Sequence, residues 1–212
     1  MLHIVTSANI HLYESEMRKA YQLRHRVFVE EMKWTNLDRG DGLEIDQFDT
    51  ETAVHMLYLD DNRDVLGYQR MLPTTGPHLL TDALPELCDL PSPVGENIWE
   101  WTRYAVHPLH RDRGRKISPI ALSLLTGIVE WGLAREIDTL ILLMNPIWLL
   151  KLVQGHFRIT PLGFPKKIGD EDTIAVMASF NRMTLARLRE YRGVDSSVFH
   201  HSAQVKLAAG RR

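Results

Sequence analysis

IWEWTRYAV, residues Ile98 to Val106, is aromatic and β-branched, follows a loop marked by Pro91, Pro93 and Gly95, and stops short of Pro108. That composition and punctuation predict a strand. Glu100 and Arg103 lie inside it, and a charge in a buried strand is tolerated only when paired and hydrogen-bonded. Residues three apart on a regular strand face opposite sides. Either the two charges serve different surfaces, or a bulge turns them toward one site.

On the N-terminal side, Val54–Leu59 and Val65–Leu72 read as two strands joined by the turn DDNRD, and Arg70 puts another charge inside a strand. A short strand is expected at Leu2–Val5. From Tyr13 the apolar residues recur at spacings of three and four through Met17, Ala20, Tyr21, Val27 and Phe28, which predicts a helix with Arg24 in the middle of its apolar stripe. Such an arginine either snorkels along its stem or reaches a buried carboxylate or anionic ligand. Glu30 to Gly42 loses the periodicity and reads as a loop carrying one exposed aromatic, Trp34. In LEIDQFD, Glu44, Asp46 and Asp49 crowd around Ile45 and Phe48. Close carboxylates of this kind can bind a metal, act as acid and base, or decorate a solvated turn.

On the C-terminal side, four of the six positions Arg111–Lys116 are basic: Arg111, Arg113, Arg115 and Lys116. Ser118 and Pro119 then give the N-cap and first turn of a helix running to about Arg135. Basic residues and Gly114 before a helix N-terminus either make an anion cradle or form a solvated basic loop. The helix is apolar nearly all round and should be buried against a sheet. A core strand at Ile137–Met144, a helix at Pro146–Gln154, strands at Phe157–Ile159 and Thr173–Ala178, and a basic helix from Asn181 to Arg192 closed by Gly193 complete the order. The order predicts an α/β three-layer sandwich with a mixed central sheet.

The 212 residues, 44% hydrophobic and 25% charged, suit one domain, 1–212, with a flexible tail from about 194. A net charge of -2 supplies no footprint for nucleic acid. The single cysteine, Cys88, allows no internal disulfide, the N-terminus has no secretory pattern, and no apolar run is long enough to span a membrane, so a cytoplasmic protein is expected. No GxSxG, HExxH, Walker loop or Rossmann glycine triplet occurs, and the scattered histidines give no metal site.

Taken together, RxxVF (Arg24–Phe28), Trp34, ExDQFD (Glu44–Asp49), the Arg70 strand running into LPTT, and IWEWTRYAV resemble the acyl-homoserine lactone synthases, the LuxI-type autoinducer synthases, over about Arg24 to Val106. The resemblance implies a GNAT-like fold with a centrally splayed sheet. It also implies a reaction: the amino group of S-adenosylmethionine attacks an acyl thioester, and the acylated methionine then closes to a lactone and expels methylthioadenosine. No cofactor or metal is implied, and both reactants are substrates. Glu100 is the candidate base, with Arg24, Asp46, Asp49, Arg70 and Arg103 completing the catalytic set. Phe28 and Trp34, with Arg24, Asp46 and Arg103, are the candidates for S-adenosylmethionine.

The donor, on acyl carrier protein or coenzyme A, would meet Arg111, Arg113, Arg115 and Lys116, although Lys116 stands where the GNAT loop R/QxxGxG/A has a second small residue. On the acyl side the candidates are Ile141 and Leu143. Where makers of 3-oxo-acyl signals often carry a threonine this chain has Ile141, which favours an unsubstituted acyl chain. Two other readings compete: a GNAT-type N-acyltransferase acting on another amine, and a ligand-binding regulator without turnover.

Overall fold

The structure is a computed structural model that describes residues 1–111 and 117–199. Arg113, Arg115 and Lys116, expected at the donor, lie outside the described residues. The chain divides into two compact units, Met1–Arg70 with Arg103–Gly127 and Ser196–Arg212, and Met71–Thr102 with Ile128–Asp195.

In the first unit the strand order is β1 (Leu2–Val5), β2 (Val54–Leu59), β3 (Val65–Pro73, as far as Arg70) and β4 (Ile98–Val106, from Arg103). β1 and β2 are antiparallel, with Leu2 opposite Tyr58 and Val5 opposite His55. Helix α1 (Glu14–Arg24) buries Met17, Ala20 and Leu23 against Val5, Leu57, Leu59 and Tyr68. The predicted helix does not continue in α form to Phe28. From His25 to Glu31 the backbone is a π-helix, and it keeps Val27 and Phe28 in the same apolar cluster. Such widened turns are rare and occur mostly at functional sites.

Beyond residue 194, Val198 and Phe199 are buried. The Leu2 N–H donates to the Val198 carbonyl at 3.1 Å, and Leu2 bridges Phe199 in parallel. This contact covers backbone groups of an edge strand that would otherwise be open to pairing.

In the second unit the order is β3, β4, β5 (Thr139–Met144), β8 (Glu171–Ser179) and β6 (Arg158–Pro161), with β7 (Lys166–Ile168) also on β8. β4 and β5 are parallel, with Glu100 opposite Ile141, whereas β5, β6 and β7 all pair antiparallel to β8. The sheet is therefore mixed, as expected. β7 has no counterpart among the predicted strands; it folds back on β8 through Gly169, whose φ is +59°.

Helix α3 (Pro119–Leu133) begins where Ser118 was expected to cap it, the Ser118 hydroxyl accepting from the Ala121 N–H at 3.1 Å. Pro146–Trp148 is a 3-10 turn leading into α4 (Leu149–Gln154). Helix α5 (Arg182–Arg192) has a reciprocal capping box between Asn181 and Thr184, and it ends at Gly193 with φ +66°. The short helix α2 (Leu79–Asp82) interrupts the crossover from β3 to β4.

Candidate active site

Six charged side chains of the first unit form one buried cage: Arg24, Arg70 and Arg103 with Glu44, Asp46 and Asp49. Arg24, at the last turn of α1, sends Nε to Glu44 Oε2 at 2.5 Å and its two Nη groups to the Asp49 oxygens at 2.8 and 2.9 Å. Arg70, from β3, reaches Asp46 at 2.6 and 2.9 Å and Asp49 at 2.7 Å. Arg103, from β4, takes Glu44 at 3.0 and 3.1 Å and Asp46 at 2.7 Å. Each arginine thus makes several charge-assisted bonds in the fork geometry that suits carboxylates.

The acidic loop is folded onto itself to present these oxygens. The Asp46 N–H donates to Asp49 Oδ2 at 2.9 Å, the Phe48 N–H to Asp46 Oδ1 at 2.9 Å, and the Glu44 N–H to the Tyr21 carbonyl at 3.1 Å. Of the alternatives open for these carboxylates, the solvated turn is excluded by burial: side-chain exposure is 1% for Glu44, 8% for Asp46 and 2% for Asp49. Arg24 does not snorkel, since its side chain is fully buried.

Burial alone would push all three carboxyl pKa values up. It is outweighed at Glu44 by the charges of Arg103 and Arg24, at Asp46 by Arg70 hydrogen bonds and charge, and at Asp49 by Arg24 and Arg70. All three are held below the usual carboxylate range and are ionised at neutral pH.

Beside the cage, Phe28 and Trp34 stack with centroids 5.3 Å apart and planes 19° from parallel. The Arg103 guanidinium carbon lies 5.4 Å from the Phe28 ring centre. Trp34 was expected as an exposed loop aromatic; instead it packs against the first unit's core, with its N–H bonded to the Phe28 carbonyl at 2.9 Å at the end of the π-helix. Arg103 has φ +54°, a left-handed conformation that breaks the regular alternation of β4. Arg111 is tied to Glu31 at 2.6 Å and to the Val106 carbonyl at 3.0 Å.

Glu100 belongs to the second unit and is fully buried. Its two carboxylate oxygens accept the backbone N–H groups of Leu79 and Leu80 at 2.8 and 2.9 Å, at the start of α2. Ile141 is fully buried in an apolar cluster with Leu80, Leu87 and Ala175, against which Ile98 and Leu143 pack.

Three components of the cage and its border lie beyond the sequence-based candidates. The sequence shows Glu44 only as one acid among several, although it bridges Arg24 and Arg103. The Tyr68 hydroxyl accepts from Arg24 Nη1 at 3.2 Å and lies 2.7 Å from His55 Nδ1. Burial holds the His55 imidazole down at about 4, so at neutral pH it is uncharged and can accept the Tyr68 O–H. The composition of Val54–Leu59 and Val65–Leu72 identifies strands but gives no reason to pair these two side chains.

The fold is GNAT-like: a putative N-acetyltransferase from Lactobacillus plantarum superposes with a TM-score of 0.55 at 16% identity, covering 84% of this chain and 99% of that one, a likeness of fold alone. The autoinducer synthase family model matches residues 9–188, and the chain belongs to that family, the acyl-homoserine-lactone synthases. It is 35% identical over 199 residues to the isovaleryl-homoserine lactone synthase of Bradyrhizobium diazoefficiens, covering 93% of this chain and 88% of the relative. It is 29% identical over 181 residues to an acyl-homoserine-lactone synthase of Pseudomonas aeruginosa, covering 82% and 86%. The solved structure of the coenzyme A-dependent acyl-homoserine lactone synthase BjaI with S-adenosylmethionine and isopentyl-CoA superposes with a TM-score of 0.86 at 32% identity, covering 99% of both chains. Among the described residues no helix is long and apolar enough to cross a membrane.

Proposed function

We propose that this enzyme makes an N-acyl-homoserine lactone from S-adenosylmethionine and an acyl-coenzyme A. The acyl group passes from sulfur to the amine, the methionine carboxylate closes the lactone ring, and methylthioadenosine leaves. The reading is carried by the cage, in which three carboxylates stay ionised beside the stacked Phe28 and Trp34 faces. A sulfonium is a cation, and aromatic faces with fixed negative charge nearby are what a desolvated cation requires. Arg103, whose Nε and Nη2 are held by Glu44 and Asp46 beside Phe28, would receive the substrate carboxylate through Nη1.

In this reading Glu100 is the base for the substrate ammonium, oriented by the Leu79 and Leu80 amides. Asp46, Asp49, Arg24 and Arg70 hold the floor on which the substrate rests. Coenzyme A rather than acyl carrier protein is favoured as carrier, because the coenzyme A-dependent synthase matches over 99% of the chain. A short branched acyl group is favoured by the relative named for isovaleryl-homoserine lactone. Ile141 and Leu143 offer it apolar contact and no hydroxyl for a 3-oxo group. Both reactants are substrates, no cofactor enters, and the reaction belongs in the cytoplasm, where both are made.

The test is mass spectrometry of products after incubation with S-adenosylmethionine and parallel panels of acyl-coenzyme A and acyl-carrier-protein donors. Acyl-homoserine lactone with equimolar methylthioadenosine is expected, best from isovaleryl-coenzyme A. Binding of S-adenosylmethionine without product from any donor would leave a ligand-binding regulator as the reading.

A further inference from the structure

His78 precedes α2, the helix whose first two N–H groups hold Glu100. The residue is 1% exposed. Nδ1 lies 2.9 Å from the Gly76 carbonyl oxygen, which can only accept, so Nδ1 carries the ring proton and Nε2 presents a lone pair. Thr81 Oγ1, 3.2 Å from Nδ1 and 3.3 Å from the His78 carbonyl, holds the ring from the same side. The backbone is fixed as well, with the His78 N–H donating to Asp82 Oδ2 at 2.9 Å. Among the described residues, the other ring nitrogen, Nε2, is buried and has no hydrogen-bond partner. A buried acceptor without a donor is destabilising and calls for an explanation, of which a functional role is one.

The reaction has a use for a second proton acceptor. An ammonium that becomes an amide nitrogen loses two protons. One ends on the departing thiolate and the other must leave the site. Glu100 already carries an N–H bond on each oxygen.

We propose that His78 Nε2 is a further catalytic acceptor that acts beside Glu100 on the attacking amine, and this rests on the function proposed above. Glu100 takes the first proton from the ammonium, and the neutral amine adds to the thioester carbonyl to form the C–N bond. Nε2 takes the second proton from the nitrogen of the tetrahedral intermediate. As the C–S bond breaks, the imidazolium so formed passes that proton to the thiolate. Glu100 releases the first proton to solvent, and both residues return to their starting forms. The Gly76 carbonyl, already bonded to Nδ1–H, stabilises the transient imidazolium.

Two substitutions separate this role from a structural one. His78→Asn keeps a donor near the Nδ1 position for Gly76 and removes the Nε2 acceptor; His78→Gln keeps a polar atom near Nε2 without a basic nitrogen. Both should lower kcat by about tenfold or more, with KM for S-adenosylmethionine and the melting temperature little changed. An Asn variant with wild-type kcat would reduce His78 to a helix-capping residue, and a Gln variant with wild-type kcat would reduce Nε2 to a passive acceptor; either overturns the proposal while the enzyme still releases methylthioadenosine. Wild-type protein that releases none, with any donor, overturns the proposed reaction itself and this role with it.

Discussion

Arg24 Nε and Glu44 Oε2 lie 2.5 Å apart with both side chains out of solvent, and the same Glu44 oxygen is 3.1 Å from Arg103 Nε. One carboxylate therefore joins the end of α1 to β4. Removing one partner of such a pair strands the other charge. Arg24→Ala should lower stability by about 3–5 kcal/mol, measured by urea unfolding. A loss under about 1 kcal/mol would mean that the cage relaxes around the gap.

Acid should undo the first unit in two stages. His55, held at about 4 when folded against about 6.5 when free, is protonated more readily in the unfolded chain. Its folded pKa is depressed, so stability falls as pH drops from about 6.5 toward 4, by roughly 3 kcal/mol. Glu44, Asp46 and Asp49 are also depressed when folded. Their contribution is complete above the unfolded carboxyl value near 4 and is lost as pH falls below it. His55→Gln should flatten the upper stage and leave the lower one; an unchanged slope between about pH 6.5 and 4 would remove His55 from this account.

Trp34→Ala should raise Kd for S-adenosylmethionine about tenfold, in the range of a desolvated cation–π contact together with lost packing on Phe28. Isothermal titration with the substrate reads this directly. An unchanged affinity would place the sulfonium elsewhere.

Glu100→Gln and Arg103→Lys should each lower kcat/KM at least about tenfold. Lysine keeps the charge of Arg103 but not its simultaneous reach to Glu44 and Asp46. Wild-type rates in both variants would sink the site assignment.

A Cβ on Gly127 would overlap Leu2 Cδ2, while it would meet Phe199 Cζ at an ordinary contact distance of 3.5 Å. Gly127→Ala should cost about 1–3 kcal/mol through displacement of Leu2. Thermal unfolding of the variant measures it, and an unchanged melting temperature would show that Leu2 has room to move.

What the sequence made legible was local chemistry. IWEWTRYAV forms a strand over the predicted span because its composition and its bounding prolines agree. Asn181 and Gly193 bound α5 as their side-chain chemistry and permissive φ require. The π-helix stayed hidden because Arg24, Val27 and Phe28 fit an α-helical stripe equally well. The spacing of Glu100 and Arg103 left room for a bulge, but the left-handed form of Arg103 carried no mark of its own, since neither glycine nor asparagine stands there. Arg24, Asp46, Asp49, Arg70 and Arg103 come together in one cage, whereas Glu100 takes its backbone donors from α2, a four-residue helix too short to leave a periodic signal. Glu44 was visible as an acid, but its bridging place depends on folding of the 44–49 loop.

Three guanidinium groups and three carboxylates cancel one another within the cage. Such a lining projects little potential past a Debye length, about 8 Å in physiological salt. The cage itself therefore exerts little pull from afar on the sulfonium substrate, whose binding there should vary little between dilute buffer and concentrated salt. Selectivity then has to be exercised at contact, after arrival, by ring faces and fork-shaped donors rather than during the approach.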